Sequence, residues 1–443
     1  MNQVTQSARL LTVKMHDSTV KPSRVQGRLG LPTVTQVNWA GGGFATIAAW
    51  VMALWLVSPL SYAVGPESSV TQAAKQQQQH DYAELKTHTK LNVIVPIFDP
   101  NIPEDTSKYA ELGIWPEVRN TETKLFALRL RDSLQASRAF GAVRVTPTDD
   151  AIGDLYVSGK ILKSNSEDVE LEVRVTDISR ANWYRSPKKF KYRVSEYDLT
   201  NPRTKDRDPY APIYQRITDD IVALLARRKE KELLKLQQVS ALVLARSYSE
   251  ETFGQYVRES RGKVRVRNFP ADNDPQYLRA QQLRAREEIF VDELQNHYNG
   301  FAADVGESYL SWQRDSHPEA KEYRETRAKA RRQRGLGVAS AVASVVLATQ
   351  AGDNGLGRTG AILGGVAAGG LIYQSFRTNA DSRIHLDQLK ENGQTLDLEL
   401  APKNIEFEGK TVELTGTAAE QFQQHREYLQ QWYADEATPQ VQL

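Results

Sequence analysis

Two apolar limbs rich in glycine and alanine, close to residue 350, constrain this chain more than any other feature. Residues 335–350 read GLGVASAVASVVLATQ and residues 359–376 read TGAILGGVAAGGLIYQSF; one Asp and one Arg lie between them. Small residues recur every fourth position. Gly335, Ala339 and Ala343 do so on the first limb, Gly360, Gly364 and Ala368 on the second, with Gly365 and Gly369 beside them. On a helix such a row is a flat stripe that lets another backbone approach closely. A glycine in a helix interior costs ~1 kcal/mol relative to alanine, so a water-exposed helix would be poorly served by this composition. Each limb falls short of the ~20 residues of a full bilayer span. Three readings stay open. The limbs form a helical hairpin dipping into lipid, with Arg331, Arg332, Arg334 and Arg377 at its base near phosphate headgroups. They form a glycine-zipper hairpin buried between protein subunits. Or they form a flexible loop.

The N-terminal region is the second constraint. Residues 44–57, FATIAAWVMALWLV, carry no charge, and Ser58-Pro59 breaks the run before Ser61-Tyr62-Ala63. Arg9, Lys14, Lys21, Arg24 and Arg28 precede it against one acid, Asp17. A basic flank, a short apolar core and a small-x-small exit predict a secretory signal over 1–63, cleaved after Ala63, with an uncleaved anchor as the rival reading. Lys and Arg number 57 in the whole chain and Asp and Glu 55. Removal of 1–63 leaves 52 against 54, so the basicity belongs to the signal and composition makes no case for a nucleic-acid partner. Cysteine is absent, which excludes disulfides, thiolate metal sites and a Cys nucleophile. The mean hydropathy of −0.53 excludes a polytopic membrane protein.

The 443 residues leave room for several domains. The fold class expected is α+β. A polar linker spans 64–89 and a mixed α/β, sandwich-like domain spans 90–237. A helical region covers 238–334, the glycine-zipper hairpin 335–376, and a small β-hairpin-plus-helix module 377–443. Within 90–237, LNVIVPIF is a β-branched strand and residues 117–137 carry a helical repeat of Leu125, Phe126, Leu128, Leu130 and Leu134. Val169, Leu171, Val173 and Val175 alternate with Glu170, Glu172 and Arg174, the period of a strand with one wet face. Ile213, Ile217, Ile221, Leu224 and Leu225 stripe a further helix. In the last module, Gly409-Lys410 reads as a two-residue turn that sets Phe407 opposite Val412 and Glu406 opposite Glu413. Thr417 and Glu420 have the spacing of a capping box.

The opening strand, a helix, then Gly159 and Ile161, Val173, Val175 and Asp177, and Trp183 form a series that resembles the periplasmic α/β domain of the TolB amino-terminal and curli-secretion-channel (CsgG) group. The resemblance covers about residues 90–237 and rests on strand pattern. It implies an envelope protein that self-assembles into a ring at the outer membrane and serves transport or secretion. The lipid-attachment cysteine common in such envelope proteins is missing.

No catalytic chemistry is legible. The seven His, at 16, 80, 88, 297, 317, 385 and 425, show no metal-ligand spacing. Gly355, Gly357 and Gly360 match a dinucleotide fingerprint, but no strand leads directly into it and no βαβ unit surrounds it. The expectation is a non-enzyme with no cofactor, no metal and no catalytic residue. It is exported to the periplasm or the periplasmic face of the outer membrane of a double-membrane bacterium. Its partners are copies of itself, membrane lipid through 335–376 and other envelope proteins. The alternative function is a soluble periplasmic scaffold or accessory factor of a larger envelope machine, with the hairpin buried at a protein interface.

Overall fold

The computed structural model describes residues 89–204, 206–271, 273–335, 387–394, 397–407 and 410–437. The expected signal, the expected linker up to residue 88 and the expected hairpin from residue 336 lie outside the described residues.

A five-stranded mixed sheet organises the body. Strand β1 (Val93–Pro96) leads through α1 (Lys108–Leu112) and α2 (Pro116–Ala136) to β2 (Val143–Thr146). Strands β3 (Leu155–Ser164), β4 (Asp168–Asp177) and β5 (Lys188–Arg193) follow as an antiparallel meander. The spatial order is β2-β1-β3-β4-β5, with β1 parallel to both its neighbours. All four residues of β1 are buried, as expected of a central parallel strand. The alternation in β4 reads through as expected: Val169, Leu171, Val173 and Val175 are buried, while Glu170, Glu172 and Arg174 look outward.

Helix α2 and α4 (Ala211–Leu225), which follows the short α3 (Glu196–Thr200), cover the buried face. Ile213, Ile217, Ile221 and Leu225 form the buried stripe of α4. Helix α2 has no dry-and-wet division. Buried residues run from Val118 through Leu128 on every side, so it is a core helix with neighbours all round. Phe126 at its centre meets the rings of Tyr210 and Tyr214, each at 5.9 Å, and Tyr309 at 6.5 Å.

Glycine is required where β3 crosses Phe98. A Cβ on Gly159 would clash with the Phe98 ring, and Phe98 is buried. Gly159→Ala is therefore expected to overpack the sheet and lower stability by about 1–3 kcal/mol, read as a lower urea midpoint at unchanged slope.

Beyond the sheet, α5 (Glu230–Tyr248) and α6 (Glu250–Phe253) precede a hairpin of β6 (Val257–Ser260) and β7 (Lys263–Val266). This hairpin corrects the expectation that 238–334 is helical. It turns on Arg261 (φ 52°) and Gly262 (φ 68°), two left-handed residues in succession, the geometry that matches the twist of paired strands. Helix α5 also runs through the expected boundary at 237/238, and its Ser240 hydroxyl donates to Asp154 under the sheet.

Helix α7 (Pro275–Gly335) has 61 residues, about 90 Å at 1.5 Å per residue. Phe290, Leu294, Tyr298, Phe301, Val305, Tyr309 and Trp312 bury its inner face in the same core as the sheet. Pro318 lies inside it and removes one ladder hydrogen bond. Buried side chains recur as far as Ala320, and beyond that Lys321 and Arg324 pair with Glu196 and Glu167. Helix α7 also seals one edge of the sheet. The Gln295 amide donates to the carbonyl of Val145 and accepts from its N–H, both at 2.8 Å, standing in for a further strand beside β2.

The described C-terminal residues pack on this body. A helical stretch over 387–392 buries Leu389 against the core, and Gly393 meets α2 so closely that a Cβ there would strike the backbone of Glu117. Strands β8 (Lys403–Phe407) and β9 (Lys410–Leu414) form the expected hairpin in a different register. Phe407 pairs with Lys410, Ile405 with Val412 and Glu406 with Thr411, so the turn comes one residue earlier and the Glu406–Glu413 opposition disappears. Helix α8 (Ala418–Ala437) begins with the expected capping box: Thr417 N–H donates to Glu420 at 2.8 Å, and Glu420 N–H donates to the Thr417 hydroxyl at 3.3 Å.

Candidate functional site

The polar run Arg-Asn-Thr-Glu-Thr-Lys at 119–124 sits in the buried part of α2, and it places the charged side chains of Arg119, Glu122 and Lys124 in the core. Arg119 is 2% exposed and Glu122 1%. Their side chains pair at 3.2 Å. Arg119 also donates to the carbonyls of Pro100 at 3.2 Å and Ser164 at 3.4 Å. Glu122 accepts from the Ser164 hydroxyl on β3 and from Tyr309 on α7 at 2.7 Å. One ion pair thus joins α2, the sheet and α7. Desolvation raises the Glu122 pKa, opposed by the adjacent Arg119 guanidinium and the hydroxyl donors. Lys124, one turn on, is pushed down to about 8 by burial, with Asp397 pulling the other way; its ammonium lies 5.1 Å from the Phe301 ring centre.

A second polar group lies where α5, α7 and α8 meet the other side of the sheet. Asp154 accepts from the Asn92 N–H at 2.8 Å and from Ser240, and burial raises its pKa. Glu287 accepts from the Tyr248 hydroxyl at 2.9 Å with Arg426 at 3.9 Å, and burial raises its pKa too. A cavity of about 20 Å³ between Ile94, Arg144, Leu244, Glu287 and Val291 has the room of a single water. Both groups are enclosed at the seams between elements, and their chemistry is cross-linking: each carboxylate receives donors from two or three elements.

The sequence-predicted residues fall elsewhere. Arg331, Arg332, Arg334 and Gly335 occupy the last turns of α7. Ala339, Ala343, Gly360, Gly364, Gly365, Ala368, Gly369 and Arg377 lie outside the described residues, as do Gly355 and Gly357. Among the described residues, no helix is long and apolar enough to cross a membrane, and no group of three or more His, Asp or Glu could hold a metal ion.

The residues that carried the family resemblance have a local explanation. Asp177 accepts from the N–H groups of Ser179 (2.9 Å) and Ala181 (3.2 Å), from the Ser179 hydroxyl (2.5 Å) and from the Trp183 indole (3.1 Å). It ties the β4–β5 connection to the sheet. Among the described residues, two histidines are buried. His317 lies 3.3 Å from the Val194 carbonyl, and the His425 ring stacks on Phe290 at 4.3 Å. Sequence reasoning missed Arg119 and Glu122; the signal was present as a polar hexad inside an otherwise apolar helical repeat. No family model, curated protein or solved structure matches the chain.

Proposed function

We propose that this chain is a non-enzymatic cell-envelope protein, exported through residues 1–63. In this reading it is a homo-oligomer at the periplasmic face of the outer membrane and a ring or channel component of a transport or secretion assembly. The observation that supports this reading is helix α7. Its first two thirds are bonded into the α/β body, and its last turns carry Arg331, Arg332 and Arg334 directly ahead of the Ala/Gly-rich limbs in sequence. A helix fixed at one end in a rigid body is a suitable mount for an insertion hairpin, and cations at its far end suit anionic headgroups. The family resemblance of residues 90–237 supports the envelope setting. The buried carboxylates serve as seams in this account, with no catalytic part.

The test compares the mature chain with a version lacking 336–376, each purified with and without detergent and floated with liposomes containing anionic lipid. The full chain is expected to need detergent and to float, and the shortened chain to stay in the aqueous fraction with its melting transition intact. A full chain that is soluble without detergent, and whose oligomers break on the deletion, would replace this reading with a periplasmic scaffold whose hairpin is a protein interface.

A further inference from the structure

The proposed self-association leaves the subunit contact unassigned, and the sheet restricts where it can form. The edge at β2 is occupied by Gln295. Among the described residues, the outward backbone groups of β5 meet only Arg216, whose guanidinium donates to the Lys191 carbonyl at 2.7 Å. The Val194 N–H donates to Glu167 in the β4 direction. With that bond fixing the alternation, the backbone groups of Lys189, Lys191 and Arg193 point away from the sheet, and their side chains stand exposed on its open face. No acid occurs between Arg180 and Arg193, a stretch that holds six Lys or Arg. On the wet face Lys191 pairs with Glu170 at 2.9 Å and Arg193 with Asp168 at 2.6 Å, both acids on β4. Two β5 edges facing one another would still set cation against cation, so an acidic strand suits this edge better than a second β5.

Such a strand is present in the same chain. Thr415 turns its N–H and carbonyl to the Gln424 amide, at 3.1 and 3.0 Å, away from β8. By alternation, Glu406 and Asn404 turn their backbone groups away from β9 on the opposite side. Leu400 N–H bonds to Gly416 and Ala418 N–H to Leu398, which points the backbone of Glu399 outward as well. Glu399 and Glu406 are exposed, while Ile405 on the alternate face packs toward the core. Outer β8 therefore has acids on the wet face and an apolar residue on the dry face, and β5 has cations on the wet face with Phe190 on the dry one.

We infer that the β8 edge of one copy adds to the β5 edge of the next, head to tail, with Glu399 and Glu406 set against Lys189, Lys191 and Arg193. This rests on the self-association reading and names its contact. The Arg216 guanidinium holds the Lys191 carbonyl until a strand N–H replaces it. A head-to-tail contact of this kind closes into a ring when its rotation permits.

The absence of cysteine permits a direct test on the full chain in detergent. Glu406→Cys protein is mixed with Lys191→Cys protein, and in parallel with Lys189→Cys protein to cover a register shift of two. Each mixture is oxidised mildly after an unchanged melting transition has been verified. The expected result is a covalent dimer in at least one mixture, no such dimer from any variant alone, and loss of the product in Glu399→Lys/Glu406→Cys protein. Light scattering that shows oligomers while neither mixture cross-links would overturn this contact and leave self-association standing. A chain that is monomeric throughout would overturn both.

Discussion

Replacing Glu122 by leucine is expected to destabilise the folded chain by about 3–5 kcal/mol, more than a simple loss of one hydrogen bond. The substitution leaves the Arg119 guanidinium, 2% exposed, with carbonyl partners and no counter-charge. It also takes the acceptor from the Tyr309 hydroxyl and leaves the Ser164 hydroxyl with Tyr210 at 3.4 Å. Arg119→Met alone is expected to cost a similar amount, because the carboxylate then loses the charge that opposes its desolvation. The double variant Arg119→Met/Glu122→Leu is expected to lie much closer to the parent, since the cost of burying both charges vanishes with them. Urea unfolding of all four proteins supplies the cycle. Additive single losses would show that the pair does not work as a unit.

The second large effect is in the response to acid. His425 is pushed down to about 4, first by burial and then by Lys403, against an ordinary value of 6.5. The unfolded chain therefore binds a proton on this residue before the folded chain does. Stability from neutral His425 is complete above about pH 6.5 and is lost as pH falls through the window from 6.5 to about 4, by roughly 3 kcal/mol at most. The raised carboxylates act in the opposite sense. Glu122, Asp154 and Glu287 take up protons more readily when folded, so each adds stability as pH falls below its folded value. The parent slope is a difference of the two. His425→Phe keeps a ring on Phe290 and removes the titrating group, so its stability relative to the parent is expected to rise steadily from pH 6.5 to 4.5. A parallel pair of curves would mean that His425 does not titrate in that range. Glu122→Gln is the complementary control: it removes one of the opposing contributions, so its stability relative to the parent is expected to fall as pH falls.

The α/β body was legible because its signals are local. The two-residue period of β4 and the isoleucine stripe of α4 each follow from one face being dry, and the structure places them as the sequence predicts. The capping box at Thr417 is equally local. Legibility ended where a local pattern has two physical solutions. Residues 257–266 are highly charged with three valines, a pattern that suits an exposed helix as well as a hairpin, and only the left-handed pair Arg261-Gly262 decides it. In the C-terminal hairpin a one-residue move of the turn changes every cross-strand pair, and sequence alone weighted Gly409 as the first turn residue. The buried ion pair was less legible still. Arg119 and Glu122 have ordinary i, i+3 spacing, and what makes them matter is that Ser164 and Tyr309 arrive from 42 and 187 residues away. The sheet-edge seals at Val145 and Thr415 are likewise tertiary, each made by a glutamine whose role no spacing announces.

The central claim is that residues 336–376 are hidden from water, against lipid or sister subunits, at the end of helix α7. Amide hydrogen exchange of the purified full chain in its native assembly measures this directly. The account predicts slow exchange along both limbs, with faster exchange confined to the connection at 351–358. Rapid exchange throughout both limbs, in a particle whose β-sheet amides stay protected, would contradict it.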